Sequence, residues 1–218
     1  SNFSGKWIVN SGATLRTTRN SVSGDWDALG SNTSADAVTL NGGTLAVGGF
    51  TGSGAQGNWT WNNPITVAAA STISGQLPDA TATTRTLILG GAITGSGDLT
   101  FAKNQSSTMT FSIRNFAAVP GVRTDVLGTG NVTINGVALE LRPSGTGAGT
   151  AFTLNNNFKL IGGTLIDFDG NDVTLKGTIT LEGANTIQSH WNGKDLILDG
   201  ALVDGGVAGS VTFRPGAS

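Results

Sequence analysis

One short unit recurs along this chain of 218 residues, and it dictates how the chain can fold. Ile8-Val9-Asn10-Ser11-Gly12-Ala13-Thr14-Leu15 is its first instance. Val38-Thr39-Leu40-Asn41-Gly42-Gly43-Thr44-Leu45 is a second, and Val132-Thr133-Ile134-Asn135-Gly136-Val137-Ala138-Leu139 a third. Each reads as a short strand, a corner of Asn-Gly or Asn-Ser-Gly, and another short strand. Leu160-Ile161-Gly162-Gly163-Thr164-Leu165-Ile166 is a shorter echo. A unit this small cannot bury its own apolar side, so such repeats gain a core only by stacking on their neighbours.

Strand-like runs fill the intervals: Ile65 to Val67, Thr86 to Leu89, Asp98 to Phe101, Thr108 to Ile113, Phe152 to Leu154, Asp172 to Leu175, Thr178 to Leu181, Asp195 to Leu198 and Ser210 to Phe213. Apolar and polar residues alternate within them. Val173 and Leu175 flank Thr174, Ile179 and Leu181 flank Thr180, and Met109, Phe111 and Ile113 enclose Thr110 and Ser112. That period of two predicts an apolar face and a Thr-rich face. Almost every run ends at Gly, Asn-Gly, Gly-Gly or Asp-Gly, residues that tolerate sharp corners. An Asn-Gly pair also suits an antiparallel hairpin, and hairpins would give a sandwich or barrel. The shortness of the strands and the inward Leu at matching places favour a coil. The expectation is an all-β chain forming one parallel β-helix, a β-solenoid, over residues 1–218, with a few loop excursions.

Composition supports this. The chain has 34 Gly, no Cys, no Tyr, one His and one Met, and only 12% charged residues. Helix formers such as Glu, Lys and Gln are scarce, while β-branched and turn residues abound. No helical segment stands out. Excursions from the coil are expected over residues 21–35, 76–85 and 143–149, with a loop or single helical turn at 115–122. A net charge of −2 without a basic stripe argues against a nucleic-acid partner. No apolar run approaches the roughly 20 residues of a membrane-spanning helix. Without Cys there are neither disulfides nor thiolate metal sites, and no cofactor is expected. Ser1 stands inside what reads as a repeat, so the chain is expected to be a segment or subunit of a longer assembly.

Four stretches resemble a known family. Ile93-Thr94-Gly95-Ser96-Gly97-Asp98-Leu99-Thr100, Asn2-Phe3-Ser4-Gly5 followed by Ile8 to Leu15, Ile166-Asp167-Phe168-Asp169-Gly170-Asn171-Asp172-Val173-Thr174-Leu175, and Leu127 to Asn135 are similar to autotransporter-associated β-strand repeats. They are scattered over about two thirds of the chain. The resemblance implies export, a right-handed parallel β-helix and a stalk, adhesive or matrix role at a bacterial surface. It carries over no catalytic residue, and the chain shows no outer-membrane barrel of the family's kind.

Candidate sites are few. Glycoside cleavage needs two carboxylates about 5–10 Å apart. Asp25 and Asp27 flank Trp26, and Asp167, Asp169 and Asp172 form the densest acidic group. The latter could hold a cation or act on a sugar, but Asp at such corners usually satisfies backbone amides. The run from Asp167 to Asp172 lacks the full calcium-loop spacing and its terminal Glu. His190, followed by Trp191, has no Cys partners for a zinc site. Trp59 and Trp61 share one side of a strand about 6.6–7 Å apart. Exposed, they would stack sugar rings; buried, they would be a core layer. The leading function is non-catalytic: a surface stalk, passenger segment or fibre subunit. A carbohydrate-binding module is the alternative, and a polysaccharide-degrading enzyme is weaker still.

Coils of roughly 20–30 residues predict about 7–11 turns, and a rod of about 35–55 Å at the usual strand spacing. Both ends of such a rod are open sheet edges. Self-association through those ends, or continuation by the same polypeptide, is the expected partnership, with glycans or a cell surface as further candidates.

Overall fold

The computed structural model describes residues 5–17, 37–48, 59–76, 85–104, 108–114, 126–142, 152–168, 172–189 and 195–215. Among them the chain is strands and corners without a helix, and hence without a helix able to cross a membrane. It winds in successive levels. The first holds β1 (Trp7–Asn10) and β2 (Thr14–Thr17), and the second β3 (Val38–Asn41), β4 (Thr44–Gly48) and β5 (Trp59–Trp61). Next come β6 (Ile65–Ala69), β7 (Ser71–Gln76) and β8 (Arg85–Leu89), then β9 (Ile93–Thr94), β10 (Leu99–Lys103) and β11 (Met109–Ile113). The fifth level has β12 (Val132–Asn135) and β13 (Ala138–Leu141), the sixth β14 (Phe152–Leu154), β15 (Phe158–Ile161) and β16 (Thr164–Asp167). β17 (Val173–Leu175) and the long β18 (Ile179–Ser189) form the seventh, β19 (Leu196–Leu198) and the long β20 (Leu202–Arg214) the last.

Every pair of named strands is parallel, which rules out the hairpin alternative. The chain is a β-solenoid with three faces. One face stacks β1-β3-β6-β9 and, further along, β14-β17-β19. Between these two sheets the fifth level supplies only a turn, Val126 to Thr129, tied back by Thr129 N–H to Gly95 O at 2.8 Å. The second face runs β2-β4-β7-β10-β12-β15-β18 and ends on β20. The third runs β5-β8-β11-β13-β16-β18. β18 serves both faces because it turns the corner at Gly183 (φ 71°) without losing its pairing on either side.

The alternating pattern sets the core. In register on the second face lie Leu15, Leu45, Ile73, Phe101, Ile134, Leu160 and Leu181. On the third face Leu87, Phe111, Leu139, Leu165 and Ile187 form a parallel column. All but Leu15 are buried. Phe101 and Phe111 bridge the two columns with ring centroids 5.1 Å apart, a tilted aromatic pair. Each large side chain withdrawn this way contributes about 1.5–3 kcal/mol.

Corners are held by close backbone approach and by asparagine. A Cβ on Gly130 would run into the carbonyl of Gly97 one level below, and one on Gly200 into that of Gly177. Asn156 takes the same place in the sixth level. Its buried Nδ2 donates to Gly128 O at 3.1 Å and Gly130 O at 2.7 Å. Asn185, 3% exposed, accepts from Gly163 N–H at 2.9 Å and donates to the carbonyls of Glu182, Gly183 and Ser210. Unlike a surface turn residue, it fills hydrogen bonds that the interior corner leaves open.

Candidate functional site

Trp61 fixes the fate of the proposed sugar platform. It is 1% exposed, aligned with Leu89 on the third face, and its Nε1–H donates to Asn63 O at 2.9 Å. The indole is a core layer with its one polar atom satisfied, so the stacking role does not stand at this residue. Trp59 opens the same strand, and its side chain lies outside the described residues.

The acidic residues are dispersed by the fold. Asp167 ends β16, 2% exposed, in the inward column that carries Ile113 and Leu141. Asp172 precedes β17 on another face, and its Oδ1 accepts from Asp195 N–H at 3.1 Å. That is the corner role open to such residues in the sequence. Asp169 lies outside the described residues, as do Asp25, Trp26, Asp27, His190 and Trp191. Among the described residues no group of three or more His, Cys, Asp or Glu is placed to hold a metal ion.

A polar cluster that sequence reasoning missed occupies the outer side of the third face. Ser112 Oγ donates to Glu140 Oε1 at 2.7 Å, and Arg114 Nε donates to Ser112 Oγ at 3.0 Å. The guanidinium groups of Arg114 and Arg142 each stand 3.9 Å from Glu140 Oε1. Arg142 also lies over the Phe168 ring, 4.4 Å from its centroid. Alternation along β11 points Thr110 and Ser112 away from the core, yet the whole strand is buried. Its signal was present as Arg114 and Arg142, each following a strand end next to Glu140's ladder.

The second face carries a partly exposed ion pair. Lys159 Nζ sits 2.8 Å from Glu182 Oε1, and Gly206 N–H donates to the same oxygen at 3.3 Å. The Lys159 hydrogen bond, helped by the Gly206 amide and the nearby charge, holds the Glu182 carboxyl below its usual range against a smaller opposing effect of desolvation. From Thr14 to Thr180 the outer column that Lys159 joins is otherwise threonine. Thr14, Thr44, Thr72, Thr100 and Thr133 follow one another up the face before Lys159 and Thr180.

The last level differs from all those beneath it. Leu202 is 39% exposed and Phe213 59%, while Ile179 and Ile187, paired with them one level below, are 0% and 2%. β19 and β20 have strand partners on one side only among the described strands. Leu196, Leu198 and Val211 are partly buried against the core behind them. The columns of Ile179 and Ile187 thus end on exposed apolar side chains, while that of Leu181 is topped by Asp204. β20 loops out across residues 205–208, where Asp204 Oδ1 accepts from Gly209 N–H at 3.1 Å, before rejoining β18 at Gly183. No protein-family model, curated protein or solved structure matches the chain at a significant level.

Proposed function

We propose that this chain is a non-catalytic structural element of an extracellular, bacterial cell-surface assembly: a stalk, passenger segment or fibre subunit whose rod is continued at its ends. The carrying observation is the last level, where Leu202 and Phe213 stand exposed directly above the buried Ile179 and Ile187. An apolar sheet edge of this kind is an aggregation hazard unless something covers it. The resemblance to autotransporter-associated repeats supports export and a surface role. The burial of Trp61 and the corner hydrogen bond of Asp172 leave fewer groups for the glycan-binding or glycan-cleaving alternatives. The test is proteolytic shaving of intact producing cells. Release of this chain's peptides without lysis is the expected result. Recovery of those peptides only after lysis would sink the surface role.

A further inference from the structure

We propose that the last level receives the first level of a second copy of this chain, head to tail and in parallel register. The inference rests on the reading above that the rod continues at its open end, and it names what continues it.

The register carries the first part of the argument. The second-face ladder places Thr14, Thr44 and Thr72 side by side, so Ala13 shares a column with Ser71. Continued through Leu99, Val132, Phe158 and Ile179, that column ends at Leu202. Trp7 precedes Ala13 by six residues (13 − 7), and Leu196 precedes Leu202 by six (202 − 196). The corner of the last level therefore has the length of the corner in the first. A second copy set on β19 and β20 at the usual strand spacing would pair β1 with β19, and the start of β2 with Leu202 to Asp204 ahead of the loop at 205–208.

The outer column of the first face supplies the second part. Going up the rod it reads Ile8, Thr39, Thr66 and Thr94 in one sheet, then Thr153, Thr174 and Ile197 in the other. Only its two ends are apolar. Ile8 is 66% exposed and Ile197 44%. In the stacked register the two isoleucines become direct neighbours across the junction, each covering the other.

Charge agrees. The residue before Leu196 is Asp195, and the residue before Trp7 is Lys6. Within one copy the Asp195 N–H donates to Asp172 Oδ1, which leaves the exposed Asp195 carboxylate outside that bond; across the junction it would face Lys6. The last level carries Asp195, Asp199 and Asp204 against one cation, Arg214, over residues 195–215, while the first carries Lys6 and Arg16 over residues 5–17. Opposite charge steers the two ends together and disfavours pairing like ends. The contact is heterologous, so it generates open filaments.

The experiment compares the wild-type chain with Lys6→Asp and Asp195→Lys, singly and mixed in equal amounts, by sedimentation and electron microscopy at low salt. Circular dichroism checks that each variant folds, which the exposed positions of Lys6 and Asp195 favour. The expected result is concentration-dependent rods in multiples of one length, weakened about tenfold by either reversal and restored on mixing. Restoration follows because each junction of the mixed filament again joins opposite charges. Ile197→Lys should weaken the association without rescue by mixing with either reversal. Monomers at every concentration would overturn the junction, as would association indifferent to both reversals or not restored on mixing. Single rods from a chain that cell shaving still places at the surface would overturn only the second copy as occupant.

Discussion

Ser112 Oγ–H donates a hydrogen bond to Glu140 Oε1 at 2.7 Å across the β11–β13 pair, and both side chains are buried although they point away from the core. Ser112→Ala leaves the carboxylate short of a donor in a shielded place and should cost about 1–3 kcal/mol. Combining it with Glu140→Leu should cost less than the two single changes summed, because the orphaned partner is then gone. Urea unfolding midpoints measure both. An unchanged midpoint for Ser112→Ala would show the bond to be idle.

Asn185 should be among the most sensitive corner positions. Asn185→Ala strands the Gly163 N–H and three carbonyls, with an expected loss of about 1–3 kcal/mol. Asn185→Asp keeps the acceptor but sets a carboxylate against the carbonyls of Glu182, Gly183 and Ser210. Its deficit should therefore shrink as pH is lowered and the carboxyl takes up a proton. Thermal melts at neutral and acidic pH decide this; an Asp variant equally unstable at both would contradict the geometry.

Gly130 should resist even a methyl group. The added Cβ meets the Gly97 carbonyl, which belongs to the backbone of the level below and cannot swing aside. Gly130→Ala is expected to destabilise by about 1–3 kcal/mol as an overpacked contact. Gly206 has nothing within 4 Å of its added Cβ, so Gly206→Ala should stay within about 0.5 kcal/mol. Equal midpoints for the two variants would mean that the levels are spaced more loosely than the structure shows.

The Lys159–Glu182 pair predicts an acid-side effect. The folded carboxyl titrates below its ordinary value of 4.5, so its stabilisation is complete above that value. It is lost as pH falls through the lowered folded pKa. Lys159→Ala should lower stability slightly at neutral pH, and the deficit should close as pH falls below about 4.5, so that the curve is flatter in that window. Added salt should mimic the substitution. Parallel curves for the two proteins below pH 4.5 would count against the pair.

Much of the fold is legible along the chain because its signal is local. Each strand-like run, from Ile65 to Val67 through Ser210 to Phe213, coincides with or lies within a strand, give or take an end residue. A period of two and a closing glycine need no knowledge of distant residues. What escapes the sequence depends on another level. Trp61 reads as a core layer or, less readily, as a platform until Leu89 is placed beside it. Asn185 stands out by no local pattern, because its partners include Gly163 and Ser210 on the neighbouring levels. Ser112 has the alternation of a solvated residue and the burial of a core one.

The stack also bears on how such a chain reaches its final form. Val38 pairs with Trp7 and Leu196 with Val173, so each strand finds its partner one winding back, however many windings follow. The entropy lost in closing such a loop depends on the winding and not on the full chain. A polypeptide threaded end-first through a pore could therefore order itself as it emerges. Each winding laid down would hold what had already passed, and a longer rod would fold no more reluctantly, turn for turn, than a short one.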